Sequence, residues 1–185
     1  MSAVLDRVLE PDLASHDPAA AVRVRAMTAA DAAALDEVFA GLSPRSRFLR
    51  YHVATPRLTA RMRRVLLDID GQRHRALVAE VDDTASGGPP PGVRAIGIGR
   101  LIALHGQSAE VAVEVVDDWQ GRGVGTLLLR RLAAEATRGG YQEVVADVLP
   151  ENRAMQRLLA RVFPGAGPRG GGHLRFHDWA TVSGR

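Results

Sequence analysis

The chain has 185 residues, of which 46% are hydrophobic and 24% charged, and this is typical of one globular domain with a single core. No apolar run reaches the ~18 residues of a membrane-spanning helix, and the first twenty residues lack the apolar centre of a signal peptide. The absence of cysteine excludes a disulfide framework, a thiolate nucleophile and a cysteine zinc site. These exclusions favour a cytoplasmic protein with no membrane partner.

The basic residues are unusual because all 24 are arginine and none is lysine. Guanidinium stays ionised where lysine titrates, so the pI is near 10.4 although the formal net charge is only +3. A nucleic-acid interface would gather arginines with aromatic residues on one face, whereas here they are spread along the chain. We therefore predict no nucleic-acid partner and attribute the arginine excess to codon bias, with some arginines available for an anionic ligand.

The N-terminal part of the chain predicts one strand followed by helices. Residues 1–20 show no periodicity and are expected to form a flexible arm. Alternating apolar residues over 22–27 predict the first strand, and Thr28 has the character of a helix N-cap. A short arginine-rich helix is predicted over 45–51, and Pro56 is expected to open a longer helix.

The remainder of the chain alternates strands and helices. A loop rich in turn-forming residues, 82–92, is predicted to be mobile. Helices are predicted from Gly121 to Arg138 and from Asn152 through Phe163. The predicted strands cover residues 75–81, 93–104, 110–116, 141–149 and 173–179. This order predicts an α/β (α+β) fold, in which helices flank a mixed central β-sheet.

A glycine-rich turn lies between the strand 110–116 and the helix that follows it. Glycine has no Cβ, so a ligand can approach the backbone closely, and the N–H groups and dipole of a helix N-terminus favour an anion. Residues 115–126 are therefore predicted to bind a phosphate or pyrophosphate, with Arg122 and Thr126 as further donors. A turn that is glycine-rich only for close packing is the alternative. The turn reads Gln120-Gly121-Arg122-Gly123-Val124-Gly125-Thr126.

Two other nucleotide-binding motifs do not fit this turn. A Walker A loop ends in Gly-Lys-Ser/Thr, and the chain contains no lysine. A dinucleotide fold needs the turn after its first strand and an acidic residue about 20 positions later. Here the turn comes late, and Glu143 and Asp147 on the next strand are not followed by a second nucleotide-binding half.

Gln120, Gly123 and Gly125 match the signature Gln/Arg-x-x-Gly-x-Gly/Ala of the GNAT acyltransferase superfamily, which the chain resembles over residues 22–163. The strand order and Pro150-Glu151-Asn152 also fit. The resemblance implies an acetyltransferase domain over residues 21–185 with acetyl-CoA as co-substrate. Backbone groups around Val115 and Val116 would then pair with the pantetheine arm, and Asn152 would face the acetyl end. The pyrophosphate would be held by Gln120, Gly121, Arg122, Gly123, Val124, Gly125 and Thr126.

A second segment narrows the resemblance. Residues 42–51 (LSPRSRFLRY) are similar to the segment Leu-Ser-Pro-x-Ser-x-Tyr/Phe-x-Arg-Phe/Tyr of bacterial Pat-type protein lysine acetyltransferases. Ala109-Glu110, ten residues ahead of Gln120, is similar to the same group. The resemblance favours a protein lysine as the acceptor. A small-molecule amine and a non-catalytic domain that binds acyl-CoA remain alternatives.

Two carboxylates are candidates for the base that an ammonium acceptor needs before it can attack a thioester. Glu110 and Glu114 are four residues apart on one predicted strand, so they point to the same side. By resemblance, Glu110 matches the glutamate base of lysine-acetylating members, and it is preferred over Glu114. For either residue the alternative is a surface carboxylate paired with an arginine.

The usual general acid of the family is missing from this chain. Many GNAT members have a tyrosine seven residues after the asparagine, and this chain has Leu159 there. Tyr51, Tyr141 or water would then protonate the leaving thiolate. No acidic or cysteine partner accompanies His173 and His177, so no metal site is predicted. The acceptor, the acyl-chain length and the oligomeric state stay open, and pairing of the last strand across a two-fold axis would give a homodimer.

Overall fold

The computed structural model describes residues 22–83, 92–163, 167–168 and 173–177. The predicted N-terminal arm, most of the predicted mobile loop and Trp179 lie outside these residues. No helix within them is both long enough and apolar enough to cross a membrane. The helices are α1 (Ala32–Ala40), α2 (Pro44–Tyr51), α3 (Ala60–Leu66), α4 (Val124–Arg138) and α5 (Arg153–Val162).

The strands form a single sheet in the order β1-β2-β3-β4-β5-β7-β6. Only β4 and β5 pair in parallel, and the other neighbours are antiparallel. The predicted mixed sheet with flanking helices is thus confirmed. The strands are β1 (Arg23–Met27), β2 (His74–Asp83), β3 (Gly92–Ala103), β4 (Ser108–Val115), β5 (Glu143–Asp147), β6 (Gly167–Pro168) and β7 (His173–His177).

The two faces of the sheet are covered by different helices. α4 packs on β2, β3 and β4 through fully buried Leu128 and Leu132, which lie over Gly97 and Gly99. Side chains alternate along a strand, so Arg100 of β3 points to the opposite face, where its guanidinium donates to the α3 carbonyl of Leu66. The helix α3 therefore lies on the face opposite α4. The end of α2 lies on the same face as α3, because Tyr51 bonds to Glu114 there, and α1 packs beside it through Phe39.

Three helices begin later than the sequence predicts. Thr28 is not the N-cap of α1, because its hydroxyl donates to Asp31 and Asp31 holds the N-cap position. Pro56 does not open α3, whose N-cap is Thr59, the acceptor of the Met62 N–H. The predicted helix start at Gly121 is also wrong, because positive φ angles in the glycine turn delay α4 to Val124.

The parallel pair β4–β5 is short, and the two strands separate beyond it. Within the described chain the two strands pair only at Ser108–Glu143, Ala109–Val144 and Glu110–Val145. Beyond Glu110 they separate towards their carboxyl ends. Paired residues share a face and alternate residues return to it, so Asp147 lies on the same face as Glu110 and Glu114. The separation opens a wedge in the middle of the sheet.

Candidate active site

A cleft of about 580 Å³ occupies the wedge between β4 and β5. One wall is formed by β4 from Glu110 to Val115, and the end of β5 forms the facing wall. The glycine turn, α2 and α5 complete the cleft. The cleft thus has one end beside the N-terminus of α4 and a side bordered by α2.

The glycine turn supplies unpaired backbone donors to the cleft. Gly121 and Gly123 have φ of 74° and 84°, a left-handed conformation that glycine adopts without strain. The first intrahelical bond runs from Leu127 N–H to the Gly123 carbonyl. The N–H groups from Gly121 to Thr126 donate no hydrogen bond elsewhere in the described chain. Free N–H groups at the N-terminus of a 15-residue helix suit a pyrophosphate.

The Gln120 and Arg122 side chains of the turn contact neighbouring protein groups and so hold the turn in place. Gln120 Nε2 lies 3.0 Å from the Val115 carbonyl and 3.1 Å from Asp117 Oδ1. The Arg122 guanidinium stacks over Trp119 at 5.2 Å. A Cβ at Gly125 would approach Leu158 Cδ2 to 3.0 Å, so this glycine lets α5 pack closely. Ligand contacts at this turn would therefore come mainly from the backbone.

Some predicted cofactor-binding residues line the cleft and others do not. Val116 and Val124 are buried, and the Val116 N–H donates to the Ile96 carbonyl. Arg122 also lies outside the lining. The lining includes Val115, Gln120, Gly121, Gly123, Gly125, Thr126 and Asn152. Their roles in binding a ligand stay predictions.

The segment 42–51 connects the start of α2 to the glycine turn. Ser43 is the N-cap of α2 and accepts from the Ser46 N–H at 3.2 Å. Gln120 Nε2 lies 3.3 Å from Ser46 Oγ. Burial raises the pKa of Asp117, but hydrogen bonds from Ser43 and Ser46 outweigh it and hold that pKa below its ordinary value. The two serines of the motif thus fix α2 against the loop that carries the turn.

Glu114 forms a buried polar cluster with residues of α2 and β3. Its side chain is 2% exposed, and its Oε2 accepts a hydrogen bond of 2.9 Å from the Tyr51 hydroxyl. Arg50 Nε lies 3.5 Å from the same oxygen, and Arg100 Nη2 lies 3.9 Å from Oε1. Burial, and then the charge of Glu114, raise the pKa of Tyr51, which therefore keeps its proton.

Glu110 has a different environment on the same strand and face. It is half-buried on the cleft wall and makes no hydrogen bond or ion pair with the described residues. Its carboxylate is therefore available to a group that enters the cleft. The structure thus separates the two candidate bases into one carboxylate with fixed partners and one without.

The positions implied for the acetyl end also lie at the cleft. Asn152 is the N-cap of α5, and its Oδ1 accepts from the Met155 N–H at 3.1 Å. Leu159 is 1% exposed and packs in the core. Tyr141 packs against Gly139 outside the cleft lining, whereas Tyr51 lines the cleft with its hydroxyl bound to Glu114. Neither tyrosine therefore presents a free hydroxyl to the cleft.

Sequence reasoning missed His52 and did not assign Asp147 to the site. His52 caps the end of α2 with φ of 61°, and it is the only non-glycine residue with positive φ in the described chain. Its Nδ1 lies 3.5 Å from Asp147 Oδ2, across the mouth of the wedge. Both residues line the cleft. No periodicity or motif in the sequence marks this contact, because it depends on how α2 packs on the sheet.

Comparison with known proteins agrees with this geometry. The family model described as acetyltransferase (GNAT) domain matches residues 21–162. The chain is 34% identical to an acetyltransferase of Pseudomonas aeruginosa over 119 residues, 63% of this chain and 60% of that protein. It is 44% identical to acetyltransferase Pat of Mycolicibacterium smegmatis over 54 residues, 29% of this chain and 16% of that protein. The crystal structure of the GNAT domain of S. lividans PAT superposes with a TM-score of 0.72 at 28% identity, covering 84% of this chain and 88% of that chain.

The chain belongs to the GNAT acetyltransferase domain family. This confirms the predicted class of domain, a GNAT acetyltransferase domain. The chain spans about 60% of the length of the Pseudomonas relative and a smaller share of the mycobacterial one. The acceptor and the residues that act on it are therefore matters for proposal.

Proposed function

We propose that this protein transfers the acetyl group of acetyl-CoA to the amine of a protein lysine, with Glu110 as the general base. The observation that carries the proposal is the half-buried Glu110 carboxylate, which lies on the cleft wall without a described partner. The resemblance of residues 42–51 to Pat-type protein lysine acetyltransferases supports a protein acceptor, and the chain matches two proteins named Pat. A cytoplasmic location and a homodimer belong to the same proposal.

The reaction would be a direct transfer on the acceptor side of the cleft. Glu110 takes a proton from the acceptor ammonium, and the neutral nitrogen then attacks the thioester carbonyl carbon. A C–N bond forms, the C–S bond breaks, and the electron pair leaves on the coenzyme A sulfur, while the nitrogen loses its second proton to water to give the neutral amide. Glu110 and Asp147 give this side of the cleft two carboxylates, which favour a cationic acceptor.

Protonation of the leaving thiolate falls to water in this proposal. Leu159 has no proton to give, and the Tyr51 hydroxyl already donates to Glu114. The raised pKa of Tyr51 also makes it a poor acid. The amides from Gly121 to Thr126 would meanwhile hold the pyrophosphate and fix the direction in which acetyl-CoA enters the wedge.

The absence of lysine from the chain makes the proposal easy to test. The protein is incubated with acetyl-CoA and one acceptor class at a time, namely a lysine-containing peptide, a polyamine or a free amino acid. Thiol release and acetyl-lysine formation are then measured. No lysine of the chain itself can add to the acetyl-lysine signal. Faster acetylation of the peptide supports the proposal. Faster acetylation of a small amine overturns the protein acceptor, and coenzyme A binding without any thiol release overturns catalysis.

A further inference from the structure

The helix α2 is attached at both of its ends to the rim of the cleft. At its start, Ser46 lies against Gln120 of the glycine turn. At its end, Tyr51 is bonded to Glu114 of β4, and the adjacent His52 lies 3.5 Å from Asp147 of β5. The last turn of α2 thus spans the wedge from one separated strand to the other.

We propose that Glu114 is a positioning residue that holds the last turn of α2 as the wall against which the acceptor binds. This inference rests on the proposed function and deepens it, because it separates the roles of the two carboxylates on β4. Glu110 takes the proton. Glu114 sets the position of α2 through Tyr51 and Arg50.

The contacts of Glu114 fit a positioning role better than a base. Its Oε2 already accepts from the Tyr51 hydroxyl at 2.9 Å and has Arg50 Nε at 3.5 Å. Its Oε1 faces Arg100, which is 1% exposed and donates to the Leu66 carbonyl. Both oxygens of Glu114 thus face fixed partners, and loss of its charge would leave the buried Arg100 guanidinium without a counter-charge.

The cluster also joins elements that are distant in sequence. Glu114 belongs to β4 and Arg100 to β3, whereas Arg50 and Tyr51 form the end of α2. The Tyr51 ring packs against Phe39 of α1 at 5.9 Å, so its hydroxyl can be removed without removing this packing. Loss of the hydroxyl removes the hydrogen bond between the end of α2 and β4 and leaves only the longer Arg50–Glu114 contact. His52, the next residue, would then lose its fixed position opposite Asp147.

The test compares Tyr51→Phe, Glu114→Gln and the double variant with the wild type. Tyr141→Phe is the matched control, because that tyrosine lies outside the cleft lining. We expect Tyr51→Phe and Glu114→Gln each to raise the acceptor KM about tenfold, since the first removes the donor of this charge-assisted hydrogen bond and the second removes its charge. The double variant should be no worse than Glu114→Gln alone. The KM for acetyl-CoA and the acidic limb of the kcat/KM pH profile should not change.

Two kinetic results would overturn the inference. One is a Tyr51→Phe variant with the acceptor KM of the wild type. The other is a Glu114→Gln variant that has lost the acidic limb of its pH profile, as expected of a base. Glu114→Gln leaves buried Arg100 without its counter-charge, so circular dichroism must first show that the variant folds. If it does not fold, Tyr51→Phe decides the question alone.

A measurement without acceptor keeps this inference separate from the proposed function. Hydrogen exchange of the α2 amides should rise in Tyr51→Phe and not in Tyr141→Phe. If exchange rises but no lysine is acetylated even by the wild type, the proposed acceptor fails while the attachment of α2 stands. If lysine is acetylated and neither exchange nor acceptor KM changes, the positioning role fails alone.

Discussion

The two sides of the cleft are built from different parts of the chain. On the donor side, the glycine turn offers backbone N–H groups, while its Gln120 and Arg122 side chains contact neighbouring protein groups. On the acceptor side, charged and polar side chains from α2, β4 and β5 meet. A backbone site binds what all acyl-CoA donors share, whereas a side-chain site can differ between proteins that modify different acceptors. The comparison explains why the donor is easier to identify than the acceptor.

The largest effect is expected on the donor side from Gly123→Glu. A side chain at φ of 84° is strained, and a carboxylate would meet the pyrophosphate with like charge. Coenzyme A affinity, measured by calorimetry, should fall about 100-fold or more. Gly106→Glu is the control, since Gly106 also has a positive φ of 69° but lies in the β3–β4 turn. Equal affinity losses in both variants would contradict the assignment of the turn.

Glu110→Gln should have the next largest effect, on the acceptor side. Loss of the base should lower kcat about 100-fold at neutral pH and leave coenzyme A affinity unchanged. Glu143→Gln is the matched control, because Glu143 lies on the same sheet face but outside the cleft lining. Steady-state kinetics with saturating acetyl-CoA would show the difference. Unchanged turnover in Glu110→Gln would remove Glu110 from the base role.

Gln120→Ala tests whether the donor side depends on a side chain that only supports the backbone. The substitution removes contacts to Val115, Asp117 and Ser46, so the turn should lose its fixed position. We expect coenzyme A to bind about tenfold more weakly, with faster hydrogen exchange from Gly121 to Thr126 in the free protein. Weaker binding without faster exchange would indicate instead that Gln120 contacts the ligand directly.

The smallest effect is expected outside the cleft, at Asp31. The Arg25 guanidinium, hydrogen-bonded at 2.8 Å, lowers the pKa of Asp31 from 3.8 to about 2. A lowered carboxyl pKa stabilises the fold above pH 3.8, and this stabilisation is lost as the pH falls through about 2. Asp31→Asn should therefore lower the free energy of unfolding by less than about 1 kcal/mol at pH 7, since Arg25 is largely exposed. Urea unfolding should show that the difference in unfolding free energy between Asp31→Asn and the wild type vanishes near pH 2. A difference that persists there would indicate that the substitution disturbs local packing rather than removes a charge.

Much of the fold could be predicted because its signals are local. The alternation in β1 to β4 and the glycines after α4 act within a few residues of the chain. Helix starts were predicted less well, because Thr28 and Pro56 have the right residue type at positions where the chain makes another turn first. Which of several possible capping residues begins a helix depends on how that helix packs against the sheet.

The candidate site likewise has one part that local sequence signals predict and another that depends on tertiary packing. The glycine turn could be found from spacing alone, because its chemistry lies in the backbone of consecutive residues. The Tyr51–Glu114 hydrogen bond joins residues 63 positions apart, and the His52–Asp147 contact joins residues even more distant. No spacing in the sequence reports that α2 ends above the wedge. Residue spacing could therefore name Glu110 and Glu114 as candidates, but only the family resemblance preferred Glu110, and no sequence signal showed that Glu114 has fixed partners.

The separation of β4 from β5 has a mechanical consequence. The sheet consists of two halves, β1 to β4 and β5 to β7, and the links between them include three residue pairs of β4 and β5, the packing of α4 on α5 and the His52–Asp147 contact. A co-substrate bound in the wedge would contact both halves and hold them together. Any bound donor then contributes its binding energy to holding the two halves together, so the protein should be stiffest while it is loaded and loosest just after product leaves.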